Sequence, residues 1–409
     1  MSLNLTPSGE RTHIGIFGKR NAGKSSLINA LTSQNLAIVS EQKGTTTDPV
    51  YKAMELLPLG PVMIIDTPGI DDEGDLGKLR INKAYQVLNK TDIALLVIDS
   101  TVGLTEEDKA LWSTIMAKNI PALLIFNKCE LLTEMDQAIL TAQALKLTKG
   151  FFMVSTVNNH NLQELKEAIG HLQPKETERK LLGDLIEPND VVILVTPIDS
   201  AAPKGRLILP QQQVLRDVLD HQGLGLVVQE TELSAALAKL AVKPKLVVTD
   251  SQAFAKVSQI VPEDIPLTSF SILMARYKGS LFQAVSSVTA LDTIEDGDTI
   301  LICEGCTHHR QCDDIGTVKM PRWIRQYTGK EPSFAFTSGT EFPQDLSPYK
   351  LIVHCGGCML NERELVHRNK VAAEQNVPMT NYGIAIAYMH GILGRTIAPL
   401  PGYVDLLEK

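Results

Sequence analysis

Two short stretches carry residue types whose spacing permits chemistry. HCGGC, at 354–358, sets His354, Cys355 and Cys358 behind the apolar run YKLIV, and Gly356 and Gly357 permit a tight turn in which both sulfurs face one atom. Such a turn suits a metal site or a redox dithiol. Upstream, behind the strand-like run DTILI, CEGCTHHRQC at 303–312 supplies Cys303, Glu304, Cys306, His308, His309 and Cys312. Three thiolates on one centre hold Zn²⁺ together with a histidine, or an Fe–S cluster in which one iron lacks a cysteine. Zinc ribbons usually join their C-x₂-C pairs over roughly 15–20 residues, whereas 48 residues separate Cys306 from Cys355. A small zinc-nucleated knuckle is therefore disfavoured. A C-x-x-C oxidoreductase is disfavoured too, because HCGGC runs into MLNERE without an aromatic-flanked helix start.

A further stretch, GKRNAGKS at 18–25, fits G-x-x-x-x-G-K-[ST] between the strand-like THIGIFG and the helix-like SSLINALT. In that context backbone N–H groups of Asn21, Ala22, Gly23, Lys24, Ser25 and Ser26 surround phosphates, Lys24 reaches the β/γ oxygens and Ser25 holds Mg²⁺. DTPG at 66–69 follows the run VMIID, where Asp66 can bind Mg²⁺ through water and the Gly69 N–H can meet a γ-phosphate. Thr46, in GTTTD, is expected to be the switch threonine on Mg²⁺. NKCE at 127–130 and Ser155-Thr156 end two further apolar runs. GKRNAGKS, DTPG, NKCE and the Ser155-Thr156 pair, four signals in this order, describe a nucleotide switch.

These residues need elements to position them. THIGIFG (12–18), VMIID (62–66), ALLVID (94–99), ALLIFN (122–127) and FFMVS (151–155) are uniformly apolar runs with helix-period segments mostly between them, which predicts a mostly parallel α/β sheet covered on both faces. QPKETERK at 173–180 reads as a linker. After it, VVILV (191–195), GLVV (225–228) and KLVVTD (245–250), with helices expected near 211–222 and 231–241, begin a smaller α/β unit, and a third unit carries five of the six cysteines. The expected domains are 1–172, 180–258 and 262–409.

Composition narrows the function classes. A chain of 409 residues with 44% hydrophobic residues is long enough for about three domains. With 39 basic against 47 acidic residues and no long basic block, nucleic-acid binding is disfavoured. The N-terminus lacks a signal-like apolar region and no apolar run approaches a membrane span, so a soluble cytoplasmic protein is expected. In a reducing compartment the cysteines are expected to be ligands or catalytic groups, since disulfides concentrate in small exported scaffolds.

GKRNAGKS, GTTTD, DTPG, NKCE and the Ser155-Thr156 pair resemble the five nucleotide motifs of translation-factor-type GTPases, particularly the tRNA-modification GTPase branch. The resemblance implies that Asn127 and Glu130 read guanine while Lys128 packs on the ring. Here Glu130 stands where that family has aspartate. It also implies that Asn21 binds a catalytic K⁺. Ile70 occupies the place of the water-orienting glutamine of Ras-like enzymes, so hydrolysis is expected to be slow unless a monovalent cation assists.

Cys306-Thr-His308 paired with His354-Cys-Gly-Gly-Cys358 resembles the C-x-H…H-C-x-x-C signature of the [FeFe]-hydrogenase maturation GTPase, the HydF family, and with the GTPase unit the resemblance covers essentially the whole chain. It implies a P-loop GTPase domain, an α/β dimerisation domain and an α/β Fe–S domain. It further implies a [4Fe–4S] cluster on Cys306, Cys355 and Cys358, whose fourth position is left to an exchangeable ligand. His308, His309, His354 and Glu304 are the candidates for that position or for its surroundings. The implied function is a GTP-hydrolysing scaffold, with Mg²⁺ and K⁺, that receives a diiron precursor from two radical-SAM maturases and delivers it to apo-[FeFe]-hydrogenase. A zinc-stabilised regulatory GTPase and a tRNA-modification GTPase are the alternatives. Cys303 is expected to pack at a strand end; Cys312 has no assigned role.

Overall fold

Aliphatic runs that end in glycine, aspartate or asparagine form the strands, because β-branched and leucine side chains pack on a pleated surface covered from both sides and the polar terminal residue starts the turn. The structure, a computed structural model, describes residues 6–32, 49–69, 75–172, 180–198, 207–305 and 314–403, with the side chains of 75–80 and 82 outside that description. It divides into two compact units, 1–177 and 178–409.

The N-terminal unit holds β1 (Thr12–Phe17), β2 (Val50–Leu56), β3 (Gly60–Asp66), β4 (Ile93–Asp99), β5 (Ala122–Asn127) and β6 (Phe151–Met153). Their order is β2-β3-β1-β4-β5-β6. All pairings are parallel except β2 with β3. Ile14, Ile16, Leu27 and Ile93 fill one face of the sheet, and Phe17, Leu96, Trp112 and Phe126 the other. Strand β2 is an exposed edge that the sequence reading did not assign, since Val50 and Tyr51 point outward between polar residues.

The C-terminal unit carries two parallel four-stranded sheets. The first contains β7 (Val191–Val195), β8 (Leu224–Val228), β9 (Leu246–Thr249) and β10 (Leu267–Ser269), in the order β10-β9-β7-β8. The second contains β11 (Thr299–Glu304), β12 (Ser333–Ser338), β13 (Leu351–His354) and β14 (Met379–Asn381), in the order β12-β11-β13-β14. A single hydrophobic core runs from Val192 and Phe254 through Met274 to Ile302, Val353 and Ile386, so the expected middle and C-terminal domains share one interior. Phe254 is fully buried in it, and Phe254→Ala is expected to cost about 3–5 kcal/mol. Thermal unfolding monitored in both sheets should show one transition moving to lower temperature together; two transitions, of which only one moves, would contradict the shared core.

The start of this unit is pinned by Arg276, which donates to the Leu181 carbonyl at 3.1 Å and to Asp184 Oδ1 at 2.7 Å. The Arg276 hydrogen bond is the leading cause that holds the Asp184 carboxyl below its ordinary range. A carboxyl depressed in the folded state contributes stability above its unfolded pKa and loses it as pH falls through the folded one. Asp184→Asn should therefore lower stability at pH 7 and flatten the acid limb of the stability–pH curve below about pH 4. A limb of unchanged slope in urea titrations would refute this.

Candidate functional site

In the N-terminal unit the phosphate loop joins β1 to helix Lys24–Thr32. Asn21 and Gly23 both have positive φ, 61° and 91°, the kind of backbone from which anion-binding loops are built. Lys24 is buried and its Nζ donates to the carbonyls of Gly18 at 2.9 Å and Lys19 at 2.8 Å, so its ammonium lies across the mouth of the loop. Ser25 Oγ donates to Asp66 Oδ2 at 2.7 Å, which brings together the two expected Mg²⁺-side groups. Burial raises the Asp66 carboxyl, opposed by the Ser25 bond and the charge of Lys24. Gly69 lies against the same loop: a Cβ there would sit 2.9 Å from the Arg20 nitrogen. Ala22 is buried, and Ser26 half-buried.

The residues expected to read the base lie at or just after the ends of β5 and β6. Asn127 Nδ2 donates to the Ala22 carbonyl at 3.1 Å, tying NKCE to the phosphate loop. Lys128 is left-handed, with φ 65°, and its ammonium bonds Asp99 Oδ2 at the end of β4. Burial is the largest single influence on Asp99 and acts upward, but the hydrogen bonds from Lys128 and Thr101 outweigh it and hold the carboxyl low. The sequence reading missed Asp99 because it stands as the polar end of an ordinary apolar run. Ser155 is buried, with Oγ accepting from the Asn158 N–H at 3.1 Å, and Thr156 is half-buried.

Three buried oxygens around this loop have no hydrogen-bond partner among the described residues: Asp66 Oδ1, Asn127 Oδ1 and Glu130 Oε2. A buried polar atom left unpaired costs about 1–3 kcal/mol, and here all three belong to motif residues. A Mg²⁺-bound water would satisfy the first, and the N–H edge of guanine suits Glu130. The residues fit Mg²⁺ and a guanine nucleotide. Thr46 and Ile70 lie outside the described residues.

In the C-terminal unit, β11 and β13 pair in parallel with Cys303 opposite His354, which sets both cysteine-containing stretches at the same end of the sheet. Strand ends are where open α/β sheets collect ligands. Gly357 takes φ 64° and closes the turn between Cys355 and Cys358. Cys355 Sγ accepts N–H bonds from Gly305 at 3.0 Å and Gly357 at 3.4 Å. Burial raises the Cys355 thiol against these two bonds, and burial followed by the neighbouring Cys355 pushes Cys358 up to about 12.

Glu304 ends β11, is 7% exposed and accepts a 3.5 Å bond from the Tyr382 hydroxyl. Both ring nitrogens of His354 are engaged: Nδ1 with the Cys355 carbonyl at 2.7 Å, and Nε2 with Arg368 Nη1 at 3.0 Å. Burial and then the Arg368 charge push the His354 imidazole down to about 3, so it is neutral at physiological pH. Cys303, near the end of β11, is fully buried in the core with Leu346 and Ile352, and burial pushes it up to about 11, as a packed strand-end cysteine should be. Cys306, His308, His309 and Cys312 lie outside the described residues, and among the described residues no group of three His, Cys, Asp or Glu side chains is placed to hold a metal ion. The thiols, the N–H···S bonds and the adjacent carboxylate still fit the donor set of an Fe–S cluster, whose sulfurs take such hydrogen bonds. The structure places Gly305, the residue before Cys306, directly on Cys355.

Comparison with known proteins assigns these units. Residues 13–128 match the model of a 50S ribosome-binding GTPase, so the N-terminal unit carries a GTPase domain. The tRNA modification GTPase MnmE of Thermoanaerobacter sp. (strain X514) is 38% identical over 160 residues, 38% of this chain and 33% of the relative. GTPase Der of Chlamydia pneumoniae is 32% identical over 179 residues, 42% of this chain and 36% of the relative. The chain thus spans about a third of the length of these curated relatives. Among solved structures, Era of Aquifex aeolicus bound to GDP·AlF₄⁻ is similar at 21% identity, with 53% of this chain and 92% of that one covered and a TM-score of 0.37. No helix among the described residues is long and apolar enough to cross a membrane.

Residues 181–279 match the hydrogen maturase F dimerization domain and 282–399 the hydrogen maturase F tetramerization domain. Two domains named for one family therefore fill the part of the chain that follows the GTPase unit, together more than half of it, and the protein belongs to the hydrogen maturase F family.

Proposed function

We propose that this chain is a GTP-hydrolysing carrier that holds a [4Fe–4S] cluster on Cys306, Cys355 and Cys358, receives a diiron precursor and delivers it to apo-[FeFe]-hydrogenase. The observation that carries the reading is the turn at 355–358, where two half-buried thiols, with N–H donors aimed at Cys355 Sγ, stand within electrostatic reach of buried Glu304 in a hydrogen maturase F chain. When bound, the cluster supplies an iron whose fourth ligand can be exchanged for metal cargo. Gly305 and Gly357 would stabilise Cys355 as a thiolate, and Glu304 would offer an oxygen donor to the exchangeable iron. Tyr382 holds that carboxylate at its hydroxyl.

In the GTPase unit, Lys24 leaves the Gly18 and Lys19 carbonyls for the β/γ-phosphates, while Ser25 and Asp66 position Mg²⁺ with Thr46. Glu130 and Asn127 read the base, and Lys128 packs on its face. Asn21, exposed on the loop, is a K⁺ ligand that speeds an otherwise slow hydrolysis. Loss of the γ-phosphate releases the segments around Thr46 and Gly69 and so changes contacts with partners. Those partners are the two radical-SAM maturases and the hydrogenase. The chain works as a cytoplasmic homodimer through the 181–279 region. The MnmE likeness falls on the GTPase domain.

The delivery step is tested by loading the protein through the two maturases, isolating it and adding apo-hydrogenase. Hydrogen evolution should follow with wild type and fail with Cys358→Ser. Equal activation by Cys358→Ser would remove this turn from the transfer.

A further inference from the structure

Helix Glu362–Glu374 reads ERELVHRNKVAAE, a surface-like sequence, yet its Arg368 is completely buried. A guanidinium has five N–H donors and no acceptor, so every polar neighbour must accept from it. Nε donates to Glu364 Oε1 at 2.9 Å, Nη2 to the Gly339 carbonyl at 3.0 Å, and Nη1 points at His354 Nε2 at 3.0 Å. The Phe342 ring lies 5.1 Å from the guanidinium carbon. Since arginine only donates, His354 Nε2 presents its lone pair, and the single proton of the neutral ring sits on Nδ1. That N–H donates to the Cys355 carbonyl at 2.7 Å.

Cys355 is thereby fixed at three points. Its N–H donates to the Cys303 carbonyl at 2.9 Å, its carbonyl takes the His354 proton, and its sulfur takes the Gly305 and Gly357 N–H groups. We propose that Arg368 is a positioning residue for the thiol turn: it locks His354 in the Nδ1–H tautomer, so that the imidazole clamps the Cys355 carbonyl instead of binding metal. The clamp exists without any metal. Its consequence for cluster retention rests on the carrier reading above.

The test uses the full chain labelled with ¹⁵N-histidine, first without metal. His354, identified by difference against His354→Gln, should show a protonated Nδ1 and an unprotonated Nε2, and Arg368→Met should move both signals. Arg368→Lys, which keeps a charged group that only donates, should retain the tautomer and serves if the methionine variant does not fold. An Nε2-protonated ring in wild type, or signals unchanged in Arg368→Met, overturns the proposal. After anaerobic loading with iron and sulfide, a chelator should strip iron from Arg368→Met about tenfold to a hundredfold faster than from wild type, the usual cost of losing a residue that orients ligands. Pulsed EPR of the reduced protein should be the same in wild type and His354→Gln; a coordinated-imidazole nitrogen coupling lost in His354→Gln overturns the proposal. Should wild type take up no iron, the carrier reading fails, while the tautomer measurement still decides the clamp.

Discussion

Gly23→Ala is expected to lower GDP affinity about a hundredfold or more. Gly23 stands at φ 91°, and a Cβ built on it would lie 2.1 Å from Asn127 Nδ2. A left-handed backbone costs a residue with a Cβ roughly 1–2 kcal/mol, and displacing Asn127 loses its bond to the Ala22 carbonyl, about 1 kcal/mol more. Since about 1.4 kcal/mol is a factor of ten in affinity, the two together approach a hundredfold. Displaced base contacts add to it, because Asn127 couples the phosphate loop to the guanine side of the site. Titration calorimetry with GDP is the direct measurement. A loss below tenfold would mean that the loop accommodates a methyl group and that Asn127 does not couple the two halves.

Glu130→Gln should exchange the base preference of the site. Glu130 Oε2 is buried without a partner among the described residues, which suits the N1–H and amino group of guanine. Charge-assisted hydrogen bonds contribute roughly 1.5–3 kcal/mol each, so the variant should bind GDP about tenfold to a hundredfold more weakly. Xanthine carries a carbonyl in place of the guanine amino group, to which the amide introduced by the substitution could donate, and XDP affinity should rise as GDP affinity falls. Parallel titrations with GDP, XDP and ADP resolve the outcome. A variant that loses GDP and XDP affinity alike would show that Glu130 supports the loop without reading the base.

Much of this was legible in sequence because the informative strands are buried on both faces. VVILV, ALLVID and LIVH have almost no alternative to a covered parallel sheet, and their terminal residues mark where ligands collect. Strand β2 escaped because VYKAMEL alternates inward and outward at an edge, and β12, SFAFTS, because it is only partly buried. Helices expected at 211–222 and 231–241 run Leu209–Asp220 and Leu233–Lys239, since caps and turns set ends that periodicity leaves loose. The linker expected at 173–180 falls mostly outside the described residues, as do Cys306 and Thr46.

The candidate sites divide along the same physical line. Motif spacing gathers Lys24, Ser25 and Asp66, because a loop between strand and helix leaves a chain of that length few conformations. It could not reveal Asp99 under Lys128, nor Arg368 against His354, fourteen residues away across a helix whose sequence looks solvated. Buried charge pairs are set by tertiary packing, and an i,i+4 pair such as Glu364–Arg368 reads in sequence as a surface pair. The shared core of the two C-terminal sheets was likewise hidden, since apolar runs do not say which other runs they face.

The central claim is that the turn at 355–358 closes an iron–sulfur site with Cys306. Anaerobic reconstitution with iron and sulfide, followed by metal analysis and EPR of the reduced protein, tests it most directly on wild type, Cys306→Ser, Cys355→Ser and Cys358→Ser. About four irons per chain, the complement of one [4Fe–4S] cluster, with a reduced-cluster signal lost in each variant, is the predicted result. One tightly held zinc and no EPR signal would contradict it and leave the turn a structural clasp.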